Sequence, residues 1–173
     1  QPYAECYVSN PYMATQYLVL PATLANQYTG HSQGMEVWLD WQASRQHRLQ
    51  ANASRYAMTL KSTTDNAYSF DSVHSSPKWT GSMRWSYTPD KRTETDVVLR
   101  HVGALSDVLF SQAIPSYNAV DVRWAWNSSP EVQWSVTGRN LLMSRHLEFI
   151  SELSDVARTL IGPSLTLGLR LQY

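Results

Sequence analysis

A single cysteine, Cys6, stands in 173 residues, which excludes an internal disulfide framework and leaves the compartment unreadable from thiols. Lysine is scarce as well: Lys61, Lys78 and Lys91 leave the basic set mostly to arginine. Neither sign of charge prevails, with 14 basic and 14 acidic residues, so nucleic acid is not an expected partner. No apolar run approaches the roughly 20 residues of a membrane-spanning helix. Gln1 is not an initiator residue and no basic, apolar leader follows it. A signal or a larger upstream part is therefore expected to have been removed. His31, His47, His74, His101 and His146 sit on separate segments with no cluster at ligand spacing, so no metal is expected. No nucleophile triad, phosphate-binding glycine loop or paired catalytic carboxylates occur, and neither an enzyme nor a cofactor is expected. The sequons at Asn52 and Asn127 fall in or beside predicted strands and carry no weight.

What is abundant is aromatic: seven Trp and ten Tyr. Amphipathic rings are favoured at membrane–water interfaces. The end of the chain gives the pattern that organises the rest. Leu165, Leu167, Leu169, Leu171 and Tyr173 alternate with Ser164, Thr166, Gly168, Arg170 and Gln172. In a strand, successive side chains point to opposite faces, so one face is apolar and the other polar. That suits a strand with lipid on one side and a wet lumen on the other.

The same period recurs upstream. Strands are predicted at about 35–43, 48–60, 78–87, 94–103, 117–126 and 131–137, with a short doubtful one at Gln16 to Leu20. In 48–60 the phase changes at Tyr56, Met58 and Leu60, which predicts a bulge there. Tight turns are expected at Ser44 to His47, Thr88 to Thr93 and Asn127 to Pro130. Longer links are expected at Ser62 to Ser76, Ala104 to Ser116 and Gly138 to Thr159. Short and long connections alternate strictly, so all short turns fall at one rim. An all-β, antiparallel up-and-down transmembrane barrel segment is the architecture with that property.

Depth supplies a third regularity. Trp41, Trp85, Tyr87, Trp124, Trp126, Trp134 and Tyr173 lie within a few residues of the short-turn rim, the expected aromatic girdle. On the polar face, Glu36, Asp40, Arg84, Asp96, Arg100, Asp121, Arg123 and Arg170 are the lumen-facing candidates. They would pair with one another across the polar face, or attract anions through their local field.

Several short motifs carry a family resemblance. Ile114-Pro115-Ser116-Tyr117, Val120-Asp121-Val122-Arg123, Gly138-Arg139-Asn140-Leu141-Leu142, His146-Leu147-Glu148-Phe149 and Gly34-Met35-Glu36 resemble the C-terminal region of TonB-dependent outer-membrane receptors. The last eight residues, with Thr166, Gly168, Leu171 and Tyr173, resemble the signal by which barrel proteins address the barrel assembly machinery. The resemblance covers about 30–173 and implies a barrel of about 22 strands around an N-terminal plug. On it, residues 1–30 are a partial strand and extracellular loop region, and 31–173 are the C-terminal strands of such a barrel.

It further implies a bacterial outer-membrane location and contact with outer-membrane lipid. Coupling to the TonB complex would run through a plug absent from these residues. Uptake of a scarce ligand, most often a ferric siderophore, would be the function. His146 and Glu148 are then candidates for ligand contact from an extracellular loop, or for packing the loop base against the barrel. Two rivals stand beside this reading. One is an autonomous eight-stranded outer-membrane barrel, closed by an extra strand from residues 3 to 20. The other is a soluble β-barrel or sandwich that binds a ligand and buries Trp85, Trp124 and Leu167.

Overall fold

The computed structural model describes residues 26, 28–63, 76–106, 113–142, 145–150 and 159–172. The doubtful strand at Gln16 to Leu20 and the terminal Tyr173 lie outside them. Seven strands form one antiparallel sheet: β1 (Tyr28–Gln42), β2 (His47–Ser62), β3 (Trp79–Tyr87), β4 (Thr93–Val102), β5 (Tyr117–Ser129), β6 (Val132–Arg139) and β9 (Ser164–Leu171). They follow one another in chain order across the sheet. Between β6 and β9, the short β7 (His146–Leu147) and β8 (Leu160–Ile161) pair as a separate ribbon. The up-and-down order places the three short turns at one end and the three long links at the other, as the loop lengths predicted.

Three boundaries differ from expectation. β1 begins at Tyr28, seven residues before Met35, because Tyr28 to Gly34 pairs with the far half of β2. The phase change at Tyr56 is not a bulge: β1 and β2 keep one unbroken register from end to end. Tyr56, Met58 and Leu60 instead share a face with Gln50, Asn52 and Ser54, beyond Arg55, where β3 ends its pairing with β2. The irregularity lies at Asn127/Ser129, so β5 runs through that expected turn and leaves Pro130 and Glu131 as the connection.

Cross-strand register joins the alternating faces into two continuous surfaces. One carries Val37, Leu39 and Trp41, then Leu49, Ala51 and Ala53, then Met83, Trp85 and Tyr87. It continues through Val97 and Leu99, Val120, Val122, Trp124 and Trp126, Trp134 and Val136, to the four leucines of β9. The row of partners beginning at Trp41, beside the first short turn, passes Leu49, Trp85, Val97, Val122 and Gly138. It reaches Leu165 at the long-loop end of β9. Strands staggered this way are tilted, the offset that curling a sheet into a barrel requires.

Very little of this is core. Ile114, Ala119, Ala125 and Ile150 are the buried apolar residues among those described, while Leu167 is 75% exposed and Trp124 42%. Burying one leucine is worth roughly 1.5–3 kcal/mol, so water is a poor medium for this face. Trp85, Trp124 and Leu167 are all exposed, contrary to what a soluble barrel or sandwich would need. The outer edges of β1 and β9 have no strand partner among the described residues, and the two do not pair with each other.

Where the long-loop end tightens, backbone approaches backbone. A Cβ on Gly103 would stand 2.9 Å from the Trp79 carbonyl oxygen, which accepts the Gly103 N–H at 2.8 Å. Gly103→Ala is therefore expected to cost about 1–3 kcal/mol by forcing the strands apart. A lowered urea midpoint in vesicles would register it, with Gly168→Ala as contrast. There the near atom is only the Ser135 hydroxyl, which can rotate away.

Candidate functional site

The second surface of the sheet holds every acidic residue of the seven long strands, and hydrogen bonds lace it from β1 to β6. It begins at β1, where Asp40 takes Arg48 in a two-point ion pair and accepts a third bond from Gln50 at 3.2 Å. Asn52 donates to Ser82 at 2.8 Å, and Ser54 bonds Thr80 at 2.7 Å. Asp96 then gathers three partners: Ser86 at 2.7 Å, Arg84 at 3.6 Å and Arg123 at 3.5 Å. Arg123 also reaches Glu94 at 3.2 Å and Gln133 at 3.4 Å. Cross-strand neighbours on one face stand within reach of such long side chains, so alternation alone assembles the ladder.

At the long-loop end the ladder closes on a junction. Asp121 accepts from Arg100 at 3.3 Å and from the backbone N–H of Asn140 at 2.9 Å. Asn140 is buried in the left-handed region, φ 55°, a conformation its short polar side chain tolerates better than most. Its side chain accepts from Arg100 at 3.4 Å and donates to the Gly162 carbonyl at 3.4 Å. Asn140 opens the long loop and Gly162 ends it, so one side chain ties both ends of that loop to the wall. Asn140→Ala should cost roughly 1–3 kcal/mol through the strained backbone and the lost bonds. Asn140→Gly, which relieves only the backbone, should cost less in the same unfolding titration.

His146 and Glu148 meet: Nε2 and Oε1 are 2.7 Å apart. The His146 ring is buried and lies against Tyr117, centroids 4.3 Å apart, and its Nδ1 has no partner among the described residues. This arrangement packs the base of the loop onto β5 and leaves only the Glu148 carboxylate partly open, at 33% exposure. Of the eight polar-face residues expected from the sequence, the structure joins Asp40, Arg84, Asp96, Arg100, Asp121 and Arg123 in ion pairs. Glu36 and Arg170 stand at the two edge strands without an ion pair among the described residues. Glu94, Asn140 and Tyr117 complete the surface and were missed. Glu94 is the second residue of its strand, and Asn140 and Tyr117 stand at strand ends, where the alternation is too short to place them.

The expected girdle residues that the structure describes, Trp41, Trp85, Tyr87, Trp124, Trp126 and Trp134, share the apolar face near the short turns. His47, Trp85 and Tyr87 stack with centroids 4.6–5.8 Å apart, and the Trp85 indole N–H donates to His47 Nδ1 at 3.2 Å. Trp126 and Trp134 are register partners across the last short turn. At that rim Asp90 accepts the backbone N–H groups of Arg92 and Thr93, both at 2.7 Å, which holds its carboxyl below the usual range. Among the described residues no group of His, Cys, Asp and Glu could hold a metal ion.

Comparison with known proteins adds a likeness to a solved structure. No family model matches the sequence, and no curated protein matches it. The crystal structure of the siderophore receptor PiuA from Acinetobacter baumannii superposes with a TM-score of 0.65 at 18% identity. The match covers 83% of this chain and 22% of the receptor, so the chain spans about a fifth of the length of the protein it resembles. The sheet thus has the fold of a segment of that protein's β-barrel wall.

Proposed function

We propose that this chain is the C-terminal wall of an energy-coupled receptor of the bacterial outer membrane that imports a scarce ligand, a ferric siderophore. The observation that carries the reading is the two-faced sheet. Its apolar face is continuous and exposed across seven strands, and its charged face is internally paired. Likeness to the wall of a siderophore receptor supports the same assignment.

In this reading the apolar face contacts lipid and the ladder lines the lumen. Ion pairs there keep charge near its partners and away from hydrocarbon, where an arginine at the midplane costs about 2–4 kcal/mol. In this reading Trp38, Glu36 and Arg170, exposed on the two edge strands, would meet a plug and the remaining strands. The polar residues Thr166 and Gly168, with Leu171 and Tyr173, would serve assembly of the barrel. Residues 1–30 would supply a partial strand and extracellular loop.

The test is uptake. Deleting the locus in its host should abolish transport of a radio-iron chelate, and the full gene should restore it only in cells that keep TonB. Unchanged uptake of every ferric chelate offered would overturn the iron assignment.

A further inference from the structure

The ladder on the polar face stops one strand short. It runs from Asp40 on β1 to Gln133 on β6, and β9 offers it Arg170, the register partner of Gln133. Arg48, Arg84, Arg100 and Arg123 all hold carboxylates, whereas Arg170 holds none among the described residues. Beside it lies a cleft of about 210 Å³, open to solvent at the short-turn end of β5, β6 and β9. Asn127, Glu131, Gln133 and Gln172 line it together with Arg170.

The acceptors in this cleft are engaged within the wall. Asn127 Oδ1 accepts from Gln133 Nε2 at 2.9 Å, and Gln133 Oε1 accepts from Arg123 at 3.4 Å. The Glu131 carboxylate is turned back on its own turn, where it takes the Ser129 hydroxyl at 2.8 Å. The donors are not engaged. The Arg170 guanidinium, the Asn127 amide N–H groups and the Gln172 side chain make no bond among the described residues. The backbone holds the rim in place, with the Gln172 N–H donating to the Glu131 carbonyl at 2.9 Å.

We propose that this cleft is a carboxylate-binding site, separate from any passage for cargo, which takes the acid group of a peptide or of a small free organic acid. Free N–H donors around one unpaired guanidinium complement an oxyanion. A single unpaired cation with Glu131 at its rim matches one negative charge and disfavours the near-double charge of a phosphate ester. The planar guanidinium fork matches the two oxygens of a carboxylate. The cleft admits a carboxyl group with a few carbons and falls below the roughly 300–1,000 Å³ of pockets for larger ligands, so a ferric chelate does not fit. Its chemistry stands on the sheet alone; that it opens toward the periplasm rests on the outer-membrane reading.

The test uses the full receptor chain, plug included, in zwitterionic detergent, with saturation-transfer NMR as the readout. The probes are acetate, the acetylated and amidated tripeptide glycyl-aspartyl-glycine, its asparaginyl analogue and inorganic phosphate. Acetate and the aspartyl peptide should bind, and the asparaginyl peptide should not. Equal affinity for the first two assigns a free acid, and tighter binding of the peptide assigns a peptide source; either upholds the site. Arg170→Gln should weaken both about tenfold, the worth of one charge-assisted bond, and Arg170→Lys should recover part of that loss. Arg139→Gln, at the long-loop end of β6 and also without a carboxylate partner among the described residues, should change nothing.

Equal binding of the asparaginyl peptide, preference for phosphate, no binding of either carboxylate, or an equal loss in Arg139→Gln would overturn the site. Insertion into phosphatidylcholine vesicles is measured in parallel. Insertion without carboxylate binding refutes the site and spares the barrel reading, whereas binding in detergent without insertion refutes the barrel reading and spares the site.

Discussion

Replacing Leu167 with Arg should destabilise the barrel in phosphatidylcholine vesicles by about 2–4 kcal/mol, while Thr166→Arg should change it far less. Leu167 is 75% exposed on the apolar face and pairs across the sheet with Val136; Thr166, one residue away, pairs with Thr137 on the polar face. Leu167 lies four residues from Leu171 at the short-turn end of β9, ~13 Å along the strand, well inside the apolar band. A guanidinium there has no carboxylate on its face and cannot reach the rim without bending the bilayer. At position 166 it would meet the ladder and water. Urea titrations of the inserted receptor check both variants, and equal losses would contradict the two-faced sheet.

The other large effect is expected at Asp121. Asp121→Ala removes the acceptor for Arg100 and for the Asn140 N–H together. A half-buried arginine and a buried backbone donor would then be left unpaired, each omission costing about 1–3 kcal/mol. Arg100 Nε already lacks a partner among the described residues, so its remaining bonds cannot compensate. The loss should be read in two ways: a lower urea midpoint, and faster proteolysis between Asn140 and Gly162, since that junction ties both ends of the loop. Asp121→Asn keeps an acceptor oxygen and should recover part of both. A junction that is only incidental would leave the proteolysis rate unchanged.

Much of this architecture was legible in the sequence because a half-wet sheet writes its two faces in a period of two. Trp79 to Tyr87 and Ser164 to Leu171 alternate almost without exception, and the structure makes both into strands in the expected order. The unequal loops settled which end was which. What could not be read were features that ignore the period. Tyr28 to Gly34 belongs to β1 although His31 and Gln33 occupy its apolar-face positions, because pairing with β2 alone extends it there. Tyr56, Met58 and Leu60 looked like a change of phase and are apolar residues on the polar face, set beyond the last pairing with β3. Asn140 was visible only within a motif. Its left-handed backbone and its bonds to Arg100 and Gly162 depend on residues distant in sequence.

Asp90 marks how little the short turns depend on ordinary pH. Its depressed carboxyl pKa, caused by the two backbone N–H bonds, contributes stability at pH values above the unfolded carboxyl pKa. That contribution is lost as pH falls through the lower folded value. Asp90→Asn should therefore lower stability at neutral pH and flatten the acid limb of the unfolding profile, so that variant and parent converge near the acid end of a urea series from pH 7 to about 2.

The account stands on one face of the sheet meeting lipid and the other not, and site-directed spin labelling of β9 tests this directly. Single cysteines from Leu165 to Leu171 in a Cys6→Ser background, with the full receptor in phosphatidylcholine vesicles, would be scanned for collisions with oxygen and with a water-soluble nickel chelate. Oxygen accessibility is expected to peak at 165, 167, 169 and 171 and nickel accessibility at 166, 168 and 170, in opposite phase. Equal access of the nickel chelate to both sets, or the reverse phase, would contradict it.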